Sequence, residues 1–246
     1  MNWRVYNDLA WTEHIISSPE EYKDEALYYI DIIKKYINKS SANILHLGCG
    51  AGGLDYHFKN HFQVTGVDIS EGMLKIARET NPEVKYISGD MRTVQLKNKF
   101  DAVIIPDSIM YMSTLKDLQK VINIVISHLN HNGFFLIVTH LKEDFQNNNF
   151  VYSGENGDTH ITVFENNYLV SDTVYEAAMV FLIRQNGKLN IYHEVHILGV
   201  FYAKDWQKIF KDSNLKVDII SMDHLYDKYI QENGQYRLKI FSGILN

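Results

Sequence analysis

Apolar positions recur at two different periods along this chain. Between Asp24 and Asn38, Leu27, Ile30, Ile33 and Ile37 return every three or four residues, the stripe of an amphipathic helix. Asn43-Ile44-Leu45-His46-Leu47 is a short run that stops at a glycine cluster, as a strand buried on both faces does. Val64-Thr65-Gly66-Val67 repeats the pattern and ends at Asp68, and Glu71 to Thr80 reads as a helix with Ser70 as its N-cap. Val84 to Ile87 is a third strand, closing in Gly89-Asp90, and Phe100 to Ile105 a fourth. Leu115 to Leu129 carries Leu115, Leu118, Ile122, Val125 and Leu129 on one helical stripe. Asn132-Gly133 marks a turn before a fifth strand, Phe134 to Thr139. Strands alternating with helices imply a parallel sheet covered on both faces.

After His140 the rhythm changes. Ile161–Glu165, Ser171–Arg184 and Leu189–Phe201 read as strands, with Asn166-Asn167 and Asn186-Gly187 as turn signals and no helix between them. A helix from Ala203 to Asp212 and strands near Lys216–Met222 and Arg237–Gly243 then resume the earlier pattern. The fold class expected is α/β: a Rossmann-like, seven-stranded, mostly parallel sheet with helices on both faces and an antiparallel β insertion after the fifth strand. The organisation expected is a helical lid segment over 1–40, a core over 41–142 and 202–246, and a substrate-side insertion over 143–201.

Composition narrows the partners. The 246 residues are 46% hydrophobic and 22% charged, ordinary for a globular protein, with a formal net charge of −6. That charge disfavours nucleic acid as the main partner, since phosphate binding needs concentrated Lys and Arg. Cys49 is the only cysteine, which excludes an intrachain disulfide and a Cys-based zinc cluster. No apolar stretch approaches the roughly 20 residues that span a bilayer, and the first residues lack the apolar core of a signal peptide. The expectation is a cytoplasmic protein without membrane contacts; a homodimer is compatible with the sequence but not specified by it.

The chemistry concentrates in His46-Leu47-Gly48-Cys49-Gly50-Ala51-Gly52, directly after a strand. Glycines there let the backbone turn tightly and let a ligand lie against the chain. Asp68 follows Gly48 by 20 residues at the end of the next strand, where a carboxylate can accept from both ribose hydroxyls of an adenosine. Dinucleotide enzymes show G-x-G-x-x-G, whereas this loop reads G-x-G-x-G followed by Gly53.

Ile44 to Gly52 resembles the first motif of the class I S-adenosylmethionine-dependent methyltransferases. Val67-Asp68-Ile69-Ser70-Glu71-Gly72-Met73-Leu74, Gly89-Asp90-Met91 and Phe100-Asp101-Ala102-Val103 are similar to the family's next segments. The resemblance implies S-adenosyl-L-methionine as cofactor, with Gly48 and Gly50 along its methionine portion and Asp68 on its ribose. It also implies Asp90 at the adenine amino group and Met91 and Ile69 sandwiching the ring; Cys49, Met73 and Pro106 complete the cofactor set. His46 departs from the family, which commonly has Asp or Glu there. A neutral imidazole can accept one hydrogen bond, but a protonated one would repel the sulfonium.

Nearly the whole chain is similar to the subgroup containing sugar amine N,N-dimethyltransferases, through Val5-Tyr6-Asn7-Asp8-Leu9, Asp107-Ser108-Ile109-Met110-Tyr111-Met112 and Glu194-Val195-His196-Ile197. The resemblance implies Tyr22 at the cofactor carboxylate, and Tyr6 and Trp11 in the lid. Tyr111 falls near the transferred methyl and His196 in the pocket, these two being the candidates for proton handling. Asp107, His140 and Glu194 join Tyr6, Trp11, Tyr111 and His196 as substrate-side residues. No metal is expected: catechol-type O-methyltransferases hold magnesium with acidic residues after the fourth and fifth strands, and Thr139-His140 stands at the second place. The expected function is methyl transfer to a small-molecule acceptor, with an amine nitrogen favoured. An O-methyltransferase, a peptide N-methyltransferase, a nicotinamide-dependent oxidoreductase and a non-catalytic cofactor binder are the alternatives.

Overall fold

The computed structural model describes residues 3–39, 41–223, 225–231 and 234–245. In chain order the elements are α1 (Glu13–Ile16), α2 (Lys23–Tyr36), β1 (Ala42–Leu47), α3 (Asp55–Phe58), β2 (Phe62–Asp68), α4 (Glu71–Thr80), β3 (Lys85–Ser88), β4 (Phe100–Ile105) and α5 (Leu115–His128). They continue with β5 (Leu129–Thr139), β6 (Asn148–Asn156), β7 (Thr159–Leu169), β8 (Val174–Gln185), β9 (Lys188–Gly199), α6 (Ala203–Asp212), β10 (Asp218–Met222) and β11 (Leu238–Ile244).

Seven strands form one sheet in the order β10-β11-β5-β4-β1-β2-β3, parallel except for β11, which runs antiparallel to both β5 and β10. Alternate residues of each strand enter opposite cores, as the period of a strand requires. Leu45, Leu47, Val103, Ile105, Phe135 and Ile137 pack with Val121, Ile122 and Val125 of α5 and Trp206 and Phe210 of α6. Ile44, Ala102, Ile104, Phe134, Leu136 and Val138 pack with Tyr29, Ile30 and Ile33 of α2 and Leu74 and Ala77 of α4. Leu27, expected on the buried stripe of α2, is 39% exposed; the buried face is turned so that Ala26, Tyr29, Ile30 and Ile33 cover the sheet and Glu25 is drawn inside.

The expected insertion is a separate four-stranded antiparallel sheet, β6-β7-β8-β9. Asn186 and Gly187 make the β8–β9 hairpin with φ of 49° and 78°, the left-handed pair that a two-residue hairpin favours. Two turn signals mislead. Asn166-Asn167 lies inside β7, paired with Asn149 and Asn148 on one side and Ala178 and Ala177 on the other. Asn132 does adopt a left-handed φ of 58°, yet β5 runs through it. Asparagine tolerates both states, and tertiary pairing decides between them. The expected strands contain no counterpart of β6.

The segment from Trp3 to Tyr22 lies between the two sheets. Val5 and Leu9 are buried with Ile161, Val163, Phe181 and Ile183 of the antiparallel sheet. On the other side, the Ser70 hydroxyl at the start of α4 donates to the Tyr6 carbonyl. Gly154 on β6 approaches the segment so closely that a Cβ there would collide with the carbonyl oxygen of Ile15. Gly154→Ala therefore forces α1 away from β6. The expected cost is about 1–3 kcal/mol of stability, read as a lower urea midpoint together with faster amide exchange in residues 10–17; an unchanged midpoint and exchange pattern would refute this close fit.

Candidate functional site

Chain direction out of β1 opens the site. β1 is flanked by β2 and β4, so the connections from neighbouring strand ends depart to opposite sides and leave a crevice at the carboxyl edge. The N-terminal segment and the inner face of the antiparallel sheet close it, giving a cavity of about 420 Å³.

The glycine loop forms one wall. Gly48, Gly50 and Gly52 all have positive φ, at 74°, 54° and 76°. A Cβ on Gly48 would strike the Ser108 side chain, whereas one on Gly50 would meet nothing within 4 Å and would project into ligand space. Gly50 N–H donates to Asp68 Oδ2 at 2.9 Å and Ser70 N–H to Oδ1 at 2.8 Å. Burial pushes the Asp68 carboxyl up, and those N–H groups oppose it. Each oxygen keeps a lone pair for a ribose hydroxyl, so this wall fits a nucleoside cofactor. Cys49, Ile69, Met73, Met91 and Pro106 line the same cavity. Asp90 lines it too, but its carboxylate is held by Arg92 through Nε at 2.9 and 3.0 Å and Nη2 at 2.5 Å. Burial raises the Asp90 carboxyl, and the Arg92 bonds outweigh that and hold it below the usual carboxylate range.

His46 reaches the cavity and is 2% exposed. Its Nδ1 stands 2.7 Å from Asp55 Oδ1, and Asp55 Oδ2 accepts from the Tyr86 hydroxyl at 3.0 Å. Asn81 Nδ2 ties the network to Tyr86 and to the Gly52 carbonyl, both at 3.0 Å. A carboxylate only accepts, so Nδ1 is the donor to Asp55 and Nε2 is the nitrogen that the Asp55 contact leaves available. An acidic side chain, Asp55, thus stands one imidazole behind the cavity wall at His46.

Beside His46 the wall turns acidic. Tyr22 lines the cavity and donates to Glu13 Oε1 at 3.1 Å, and burial raises the Glu13 carboxyl. Asp107, at the end of β4 with φ 55°, accepts from the Tyr226 hydroxyl at 3.0 Å. The same hydroxyl lies 3.4 Å from Glu25 Oε2, while Glu25 Oε1 accepts from Tyr29 at 2.9 Å. Burial pushes both carboxyls up, and the Asp107 charge pushes Glu25 further. Glu165 and Asn167 of β7 complete this side.

A chain of side chains crosses the far wall. The hydroxyls of Tyr6 and Tyr111 share a short hydrogen bond, Tyr111 Oη lies 2.8 Å from His196 Nδ1, and His196 Nε2 lies 3.3 Å from Glu194 Oε2. Burial raises the Tyr6 and Tyr111 phenols and lowers His196, which Glu194 partly offsets. The Trp3 ring covers this chain, 4.7 Å from both Tyr111 and His196.

Three expected substrate-side residues stand elsewhere. Trp11 is 40% exposed and outside the cavity; Trp3, eight positions earlier, occupies the lid place, because the short helical turn at Ala10–Thr12 swings Trp11 to the surface. His140 is buried behind the wall, donating Nδ1–H to the Arg237 carbonyl at 2.7 Å with its ring against Tyr236 and Tyr175. Burial pushes its imidazole down to about 4. Glu194 does not face the cavity: its oxygens accept from the N–H groups of Arg4 and Val5, each at 2.9 Å, besides supporting His196. Trp3, Glu13, Glu25, Glu165, Asn167 and Tyr226 line the cavity without having been singled out in the sequence.

Residues 44–133 match the model of a methyltransferase domain family. The chain is 24% identical over 205 residues to dTDP-3-amino-3,4,6-trideoxy-alpha-D-glucopyranose N,N-dimethyltransferase of Streptomyces venezuelae, covering 82% of this chain and 86% of that one. It is 31% identical over 118 residues to a malonyl-[acyl-carrier protein] O-methyltransferase of Bacillus anthracis, covering 46% of this chain and only 43% of that protein's length. Among solved structures, it is similar to an S-adenosylmethionine-bound amino pentose methyltransferase of Micromonospora echinaspora, with a TM-score of 0.77, 20% identity, and coverage of 100% of this chain and 98% of the other.

Glu25 gives a pH-dependent prediction. Its carboxyl is raised in the folded chain, so folding favours the protonated form. That contribution is present below the ordinary carboxylate range and is lost as pH rises above it, while the unfolded chain ionises. Glu25→Gln should flatten the fall in stability between about pH 4.5 and 8, with its largest gain over wild type at the alkaline end. Urea midpoints across that range measure it, and parallel curves for the two proteins would exclude the effect.

Proposed function

The chain is an S-adenosylmethionine-dependent methyltransferase of class I fold, and on that premise we propose that it methylates the amine nitrogen of a small molecule. The observation that carries the nitrogen acceptor is the set of carboxyl groups on the wall, whose oxygens accept hydrogen bonds from an amine and whose ionisation a cation favours. Glu13, Glu25, Asp68, Asp90, Asp107 and Glu165 all line the cavity; among the described residues no Lys does, and Arg92, bonded to Asp90, is the only Arg. The N,N-dimethyltransferase named above points to the same class of acceptor.

The cofactor supplies an electrophilic methyl on a sulfonium, so the protein's task is alignment, exclusion of water and removal of one proton. Asp68 would hold the ribose of the cofactor, Gly48 and Gly50 would lie along its methionine portion, and His46, oriented by Asp55, would offer Nε2 to the methionine end. Trp3 and Tyr6 shut the cavity from above. Tyr111 keeps its proton at neutral pH because burial raises the phenol, so its oxygen can accept the amine proton only while its own proton passes to His196 Nδ1. His196 is lowered and therefore neutral, ready to receive it, and Glu194 stands against Nε2 of the resulting imidazolium. The Tyr6 hydroxyl shares a hydrogen bond with the Tyr111 oxygen and holds it in place.

Calorimetric titration with S-adenosylmethionine, S-adenosylhomocysteine and NAD should show binding of the first two only. Methyl transfer to a panel of primary and secondary amines should then fall by about 10²-fold in kcat for Tyr111→Phe and His196→Gln, with cofactor Kd unchanged. Binding of NAD alone, or transfer confined to hydroxyl acceptors, would refute the reading.

A further inference from the structure

The inner face of β7 carries a carboxyl and an amide oxygen with which no cation among the described residues pairs. Glu165 and Asn167 sit two positions apart on one strand face and both line the cavity. Asn167 is 3% exposed; its side chain and the Tyr152 hydroxyl both hydrogen-bond the Glu165 carboxyl. With the amide N–H committed to Glu165, Asn167 Oδ1 is left as a buried acceptor that no donor satisfies. Such an orphan costs about 1–3 kcal/mol, and a buried carboxylate without a counter-charge costs more. Burial accordingly raises the Glu165 carboxyl.

The two groups define what would satisfy them. Asn167 Oδ1 and the ionised Glu165 carboxyl present lone pairs, and an ammonium complements both by bringing several N–H donors and the positive charge that favours ionised Glu165. A phosphate would bring acceptors to acceptors and negative charge to negative charge. Asp107 adds a further unpartnered carboxylate oxygen, Oδ1, on an adjoining wall. Glu165 lines the same cavity as Tyr6, Tyr111 and His196. Among the described residues Arg92 is the one Arg in the lining, and its guanidinium is taken up by Asp90.

We propose that Glu165 and Asn167 form the subsite that binds the methyl acceptor as an ammonium cation, and that this acceptor is a small amine carrying no phosphate. The proposal rests on the amine reading above and narrows it: the dTDP-linked amino sugar in the name of the Streptomyces relative carries a diphosphate, which this wall repels.

Calorimetry on the S-adenosylhomocysteine complex tests this without turnover, using D-glucosamine and 1,4-diaminobutane as cationic probes and thymidine diphosphate and pyrophosphate as anionic ones. The cationic probes should bind. Glu165→Gln, which keeps the shape and removes the charge, should weaken them by about 10-fold or more, and Asn167→Ala should weaken them as well. Unchanged S-adenosylhomocysteine affinity in both variants establishes that they are folded. Binding of thymidine diphosphate or pyrophosphate, equal binding of amines to wild type and Glu165→Gln, or no amine binding at all would overturn the proposal. A chain that binds these amines but methylates only hydroxyl acceptors would refute the amine-transfer reading while leaving the subsite standing.

Discussion

β1 is hydrogen-bonded to β2 on one edge and to β4 on the other, and the placement of nearly every functional group derives from that pairing. The chain leaves the end of β1 toward β2, and the strand on its other side is reached only after the excursion through β3. The carboxyl ends of β1, β2 and β4 therefore converge on one crevice without a helix to fill it. Gly48, Asp68 and Asp107 each stand at or just beyond one of those ends. Everything else in the site is brought to them: α2 delivers Glu25, and the antiparallel sheet delivers Glu165 and His196 from the far side.

The cost of this assembly is electrostatic. Carboxyl groups are desolvated in one small volume, and phenols stand against four of them: Tyr22 donates to Glu13, Tyr29 to Glu25 and Tyr226 to Asp107, while Tyr152 favours the ionised form of Glu165. A phenol can stabilise a carboxylate or stand beside a protonated carboxyl without clashing in charge, which an ammonium side chain could not do in both states. Six of the 16 tyrosines line the cavity. Such a wall is unfavourable on its own and favourable around a cation.

What could be read from the sequence was whatever depends on near neighbours. The glycine loop, Asp68, Asp90 and Met91 are each fixed by a strand end and a few residues of turn, so position along the chain determined position in space. Helix α6 and strand β4 likewise have the bounds that their patterns predict. Glu13, Glu25 and Glu165 carried no such signal, because a glutamate on a helix or strand reads as a solvated face until a second element covers it. Asn167 was actively misleading: a polar pair between apolar runs reads as a turn, and only the pairing with Asn148 and Ala177 keeps it in the sheet. Trp3 and Trp11 show the same limit within one segment, since both are aromatic residues near the start and a single helical turn decides which faces inward. His46 looked like a lost acid for the same reason: Asp55 belongs to another element, and their contact is a fact of three dimensions.

Ser70 stands where two parts of the molecule meet. Its backbone N–H holds Asp68 Oδ1, and its hydroxyl, besides capping α4, holds the Tyr6 carbonyl of the segment that roofs the cavity. Floor and roof are thus fastened to one residue by different atoms. Asp68 and the Tyr6 carbonyl therefore share one support, so a shift of either would be felt by the other through Ser70.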